Sequence, residues 1–229
     1  MIELSLLATE KRNTRSIHID SVSTLDMVRI INEEDKGVAA AVESILPDVA
    51  KAIDAITERI RQGGRLFYMG SGTSGRLGIL DAVECPPTYS TDPDLVQGII
   101  AGGYEAIFKA REGAEDSPEL GASDLAAKNL TALDAVVGLS ASGRTPYVVG
   151  GLTYAREKGA LTISVDASPD SLIAACSDID ICAIVGAEVI TGSTRMKAGT
   201  AQKMILNMIS TGTMIPGAIL MCQLIGGET

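Results

Sequence analysis

The chain has 229 residues, 46% hydrophobic and 21% charged, a globular balance that excludes a disordered tail or a coiled coil and fits one α/β domain of roughly 200–250 residues. Nineteen basic against twenty-nine acidic residues give a net charge of −10, which argues against nucleic acid or an anionic membrane as a general partner. An anionic substrate would therefore need a local device to overcome the global field.

The N-terminal stretch MIELSLLATEKRNTR lacks the basic start and long apolar run of a signal peptide, so the expected compartment is the cytoplasm, without disulfides. Leu25, Val28, Ile31, Val38, Val42 and Ile45 fall at helical spacing. A second helix starts at Pro47 and is stopped by Gly63-Gly64. RLFYMG follows as a short apolar run of strand type, and similar runs recur at 96–102, 134–140, 160–166 and 180–186. Five such runs separated by helical patterns predict an α/β protein with a parallel, doubly wound sheet covered on both faces. Ligands of such sheets sit beyond the C-terminal strand ends, where the strand order reverses. Near the end, Met204–Ile225 is uncharged and about as long as a ~20-residue membrane span. Asn207, Ser210, Thr211, Pro216 and Gln223 interrupt it, so it reads as a buried or interface helix followed by a separate tail.

Two loops carry phosphate-type chemistry. Gly70-Ser71-Gly72-Thr73-Ser74-Gly75-Arg76 follows the first strand, with LGILDAVE read as the helix after it. Ser140-Ala141-Ser142-Gly143-Arg144-Thr145-Pro146 follows the third strand and opens into another helix. Glycines let the backbone approach a ligand, hydroxyls add donors, and a helix N-terminus carries about half a positive charge. Simple capping by Ser74 and Thr145 is the bland reading of the same residues. Neither loop has the dinucleotide or the Walker pattern, which favours a monophosphate on a small molecule over a nucleotide.

Glu84 is expected at the C-terminal end of the helix after the first loop, where a carboxylate opposes the helix dipole. The cluster Arg111-Glu112-Gly113-Ala114-Glu115-Asp116 reads either as a solvated acidic loop or as a source of a second proton-transfer group. Lys197, Thr191, Ser193 and Thr194 form a further hydroxyl-rich loop before a helix and are candidates to aid anion binding. Cys85, Cys176, Cys182 and Cys222 include no CxxC pair, and His18 is the only histidine, so no metal site is expected.

Taken together, TEKRNTRS, INEEDK, GSGTSGRLGILDAVECPPT, IIAGG, EGAED, SASGRTPYV and EVITGSTRMKAGTAQKMILNM closely resemble the N-acetylmuramic acid 6-phosphate etherases of the sugar-isomerase-domain superfamily, from about Thr9 to Ile215. Glucokinase regulatory proteins share some of these motifs, but the ECPPT and EGAED pair favours the etherases. The resemblance implies a three-layer α/β/α fold with a five-stranded, mostly parallel, flavodoxin-like sheet. It divides the chain into a helical lead-in (1–64), a phosphosugar-binding core (65–215) and an atypical tail (216–229) where the family carries a further helical segment.

The resemblance further implies a homodimer with active sites near the subunit interface and no metal or organic cofactor. The reaction it implies is a lyase cleavage of the D-lactyl ether at carbon 3, giving N-acetylglucosamine 6-phosphate and D-lactate. Glu84 takes the place of the family's acid, which assists lactate departure, and Glu115 that of the carbon-2 base. Ser71, Thr73, Ser74, Ser140, Ser142 and Thr145 become the phosphate-cradling residues, with Ser71 standing where the family commonly has Ala. One glutamate must be protonated while the other is ionised, so a raised pKa is expected on the acid, caused by burial or by the other carboxylate. A sugar-phosphate-binding protein that is regulatory or catalytically impaired is the alternative, with a phosphosugar isomerase behind it.

Overall fold

The computed structural model describes residues 11–215; the first ten residues and the tail 216–229, with Pro216 and Cys222, lie outside the described residues. Two helices lead in, α1 (Thr24–Glu43) and α2 (Leu46–Arg61). The chain then alternates β1 (Leu66–Gly70), α3 (Gly72–Tyr89), β2 (Val96–Ile100), α4 (Glu105–Phe108), α5 (Pro118–Ala127), β3 (Ala135–Leu139), α6 (Pro146–Glu157), β4 (Leu161–Asp166), α7 (Leu172–Ala175), β5 (Ile179–Cys182) and α8 (Lys197–Met214). All strands pair in parallel, in the order β2-β1-β3-β4-β5. That is the flavodoxin-like order, and its direction reverses between β1 and β3.

Strand alternation divides the core between two faces. Leu66, Tyr68, Val137 and Ile163 pack with residues of α2, α3 and α8. Phe67, Met69 and Val136 pack with Leu125 of α5 and Val148 and Leu152 of α6. Both faces are dry, which is why the strands read as continuous apolar runs. The β5 run proves shorter than its sequence pattern: residues 183–186 leave the sheet, and Gly186 turns the chain at φ +72°.

Two further departures from expectation, and the way α5 is made, bear on the site. The glycine-rich loop after β1 is mostly the first turn of α3, which starts at Gly72 rather than at Leu77. α3 also does not stop at Glu84 but runs through Pro86 and Pro87 to an αL residue, Ser90, whose N–H bonds Pro86 O at 2.8 Å. Helix α5 has no strong apolar period; it exists because it lies against α6, so close that a Cβ on Gly121 would fall 1.9 Å from Tyr147 O. Among the described residues, no helix is long and apolar enough to cross a membrane.

Candidate active site

The crevice between the C-terminal ends of β1 and β3 holds a cavity of about 250 Å³. Ser71, Thr73, Ser74, Ser140, Ser142 and Thr145 all line it, with Glu115, Gly192 and Thr194. The strand order explains the convergence: β1 and β3 are neighbours, so loops that begin at residues 71 and 140 open side by side.

The two helices that abut this cavity are not capped by their own hydroxyls. Ser23, Ser117 and Ser171 each accept a hydrogen bond from the first turn of α1, α5 and α7. Ser71 and Thr145 hold the same position before α3 and α6 and make no such bond. Thr145 Oγ1 instead pairs with Ser140 Oγ at 2.8 Å, and Ser140 Oγ lies 3.4 Å from Ser142 Oγ. Capping is therefore not what Thr145 does. First-turn N–H groups without a side-chain acceptor, flanked by clustered hydroxyls, suit an anion with several acceptor oxygens. Ser140 and Ser74 are the buried members of the set, and the Ser74 hydroxyl donates to Gln202 Oε1 at 2.9 Å.

The second loop is held from behind. Gly143 sits at φ +68°, and a Cβ there would lie 2.2 Å from Ser171 Cβ. The Ser171 hydroxyl donates to Asp166 Oδ2, and Ile173 N–H bonds Gly143 O at 3.0 Å. Burial pushes the Asp166 carboxyl up to about 6; hydrogen bonds from Ser171 and Cys182 oppose the shift and Asp180 adds to it. Asp166 gave no local signal beyond ending an apolar run.

Of the two candidate carboxylates, the structure brings one to the cavity. Glu115 stands on a short 3₁₀ turn, Ala114–Asp116, and Ser71 Oγ donates to its Oε2 at 2.7 Å. A smaller cavity of about 180 Å³ adjoins the first, sharing Ser71, Gly72 and Glu115 and adding Arg76, Arg111 and Glu112. Glu84 is exposed, and it lies about 18 Å along α3 from Gly72 at the helical rise of ~1.5 Å per residue. It lines neither cavity.

Lys197 is not available to an anion. Its Nζ is 2.7 Å from Glu34 Oε2 in an ion pair whose side chains are 6% and 8% exposed. Asn13 Nδ2 also donates to Glu34 Oε2, and to Ala187 O, at 2.8 and 3.2 Å. Glu188, fully buried, accepts from Lys197 N–H and Ala198 N–H at 2.9 and 3.0 Å and so caps α8. Segments near residues 13, 34 and 188 thereby meet at the base of the loop that brings Gly192 and Thr194 to the cavity. The motifs containing these residues were visible in the sequence, but their mutual contacts were not. Among the described residues no group of three metal-ligating side chains assembles, and His18 is exposed.

Comparison with known proteins extends this picture. Residues 48–156 match the glucokinase regulatory protein N-terminal SIS domain, and 116–211 match the SIS domain. An N-acetylmuramic acid 6-phosphate etherase of Clostridium beijerinckii is 63% identical over 93% of this chain and 70% of its own length. One of Symbiobacterium thermophilum is 64% identical over 93% and 71%. Among solved structures, a phosphoheptose isomerase from Francisella tularensis superposes with TM-score 0.65 at 13% identity, covering 84% of this chain and 98% of that one. At that identity the likeness concerns the fold.

Proposed function

The chain belongs to the N-acetylmuramic acid 6-phosphate etherase family, and we propose that it cleaves the D-lactyl ether of that sugar phosphate, yielding N-acetylglucosamine 6-phosphate and D-lactate. The observation that carries this reading is the convergence of two hydroxyl-rich loops, both without side-chain helix caps, with Glu115 on one cavity. The sugar's phosphate occupies the cradle of Thr73, Ser74, Ser140, Ser142 and Thr145, with Ser71 at its edge. Neutral donors and two helix N-termini hold the dianion in a protein of net charge −10.

In the ring-opened aldehyde, Glu115 takes the proton from carbon 2, and the electron pair left there forms the carbon 2–carbon 3 double bond as the carbon 3–oxygen bond breaks. Glu84 gives a proton to the departing lactate oxygen. Water then adds across the double bond: its hydroxyl joins carbon 3 as Glu84 takes its proton, and Glu115 returns its proton to carbon 2, which restores both carboxyl groups. Each positioned proton transfer contributes typically ~100–10,000-fold.

Glu84 is too far from Glu115 to act within one chain, so the working unit is a homodimer in which Glu84 of one copy completes the cavity of the other. The outer face of α3 supports this, since Leu80 and Val83 beside Glu84 stand 44% and 56% exposed. The test is D-lactate release from N-acetylmuramic acid 6-phosphate, which is abolished in Glu84→Gln and in Glu115→Gln; full release in either variant removes that residue from the mechanism. The distance of Glu84 from the cavity also favours a second reading, a phosphosugar-binding protein without turnover. That reading predicts calorimetric binding of the sugar phosphate with no lactate from the native protein.

A further inference from the structure

The first hydroxyl-rich loop and the second share the tripeptide Ser-Gly-Arg, and neither arginine has a part in the scheme above. Arg76, at the start of the second turn of α3, turns away from the phosphate cradle. Its Nε donates to Ile107 O at 2.8 Å and its Nη2 to Ala106 O at 2.7 Å. Both acceptors are late carbonyls of the four-residue helix α4, where helix carbonyls lack partners of their own.

These bonds fall on a weakly anchored part of the chain. Between residues 103 and 116 only Ala106 is fully buried, and Tyr104 and Phe108 meet edge to face while 73% and 69% exposed. Apart from the turn bond at Gly103, the hydrogen bonds reaching this stretch from elsewhere among the described residues are the two from Arg76 and the one from Ser71 to Glu115. Segments with few buried contacts open at low free energy. Glu115 lies at the end of this one, where its neighbour Ala114 packs against the apolar cluster of α5 and α6; the stretch before it, from Gly103 to Gly113, is the loosely held part.

We propose that Arg76 is a positioning residue for Glu115: by clamping the end of α4 to the N-terminal part of α3, it registers the proton-transfer carboxylate against the phosphate cradle. The planar guanidinium suits this task because two donors in a fixed fork grip adjacent carbonyls at once, which an ammonium does not reproduce. The proposal rests on Glu115 being the carbon-2 base. It adds that the base's segment is fixed by the same helix whose N-terminus faces the phosphate, so that binding site and base move as one body.

The experiment compares native protein with Arg76→Lys and Arg76→Ala. It reads lactate release, affinity for N-acetylglucosamine 6-phosphate by calorimetry, and backbone hydrogen exchange. Lactate release by the native protein tests the functional reading and is scored first, so failure of that reading is distinct from failure of this one. The expected result is kcat about 100-fold lower in Arg76→Ala, the scale of an ångström-sized misplacement, with a smaller loss in Arg76→Lys. Product affinity stays within about twofold of native, and faster exchange is confined to residues 104–116. Added guanidinium ion restores part of the activity of Arg76→Ala. Native kcat in both variants overturns the proposal. Weakened product binding overturns it by making Arg76 a ligand contact, and faster exchange across the whole chain in both variants overturns it by making Arg76 a general stabiliser.

Discussion

Ser71 Oγ lies 2.7 Å from Glu115 Oε2, joining the residue just before α3 to a carboxylate 44 positions further along the chain. The hydroxyl that stands at the N-cap of α3 is thus committed to Glu115, and the helix N-terminus remains open toward the cavity. Ser71→Ala is expected to leave KM unchanged and to shift kcat by about tenfold, the low end for loss of one hydrogen bond to a charged group. Steady-state lactate release checks both parameters, and a large rise in KM would return Ser71 to the phosphate cradle.

Sharing of the active site between subunits has a direct test. Glu84→Gln and Glu115→Gln, each inactive alone, are mixed under conditions of subunit exchange. In a symmetric dimer about half of the molecules become mixed, and one of their two sites is intact, so about a quarter of native lactate release returns. No recovery despite proven exchange would place both glutamates in the same chain's site.

The buried Lys197–Glu34 pair fastens α8 to the lead-in helix α1. Burial raises the Glu34 pKa from its ordinary 4.5, but hydrogen bonds from Lys197 and Asn13 and the charges of Lys197 and Arg15 outweigh it and hold the carboxyl low. A depressed carboxylate contributes stability that is present above its unfolded pKa and is lost as pH falls through the folded one. Lys197→Met strands that carboxylate and is expected to cost about 3–5 kcal/mol at pH 7. Adding Glu34→Leu should return much of the loss. Urea unfolding of the single and double variants measures it.

Asp166 behaves in the opposite sense. Its folded pKa of about 6 lies above the ordinary 3.8, so the folded protein holds this proton more tightly than the unfolded chain. Its contribution to stability falls as pH rises from about 4 to about 6 and is flat beyond that. Asp166→Asn is therefore expected to be more stable than native by about 1–3 kcal/mol above pH 6, with the gain vanishing below pH ~4. Thermal unfolding across that range is the measurement.

Gly143→Ala tests the backing of the second loop. The new Cβ meets Ser171 at 2.2 Å on a backbone of φ +68°, so the loop must shift. The expected outcome is KM raised about tenfold or more and stability lowered by about 1–3 kcal/mol, read by kinetics and thermal unfolding.

What could be read from the residues follows the range over which each signal acts. Strand runs such as LFYMG and AVVGL, and the glycine and hydroxyl stretches after them, are local patterns, and the strands appear within a few residues of their expected places. Weak local patterns misled. The pattern ends α3 at Glu84, yet the helix runs on through Pro86 and Pro87 to Tyr89, and Cys85 beside them is buried in the core. Helix α5 is made by its contact with α6 rather than by its own apolar period.

The sequence by itself determined the α/β class, the two hydroxyl-rich loops and the kinship with the etherases, because glycine, serine and apolar runs act within a few neighbours. The strand order and the partners of the charged residues belonged to the tertiary structure. Glu115 reaches Ser71, Lys197 spends its charge on Glu34 163 positions away, and Glu84 stands apart from the cavity that its motif suggested. An ionic or hydrogen-bonded contact acts over a few ångströms of space, and only the path of the folded chain decides which residues come that close. The excess of negative charge stands accordingly: the cavity offers an anion backbone and hydroxyl groups, while Lys197 serves the scaffold.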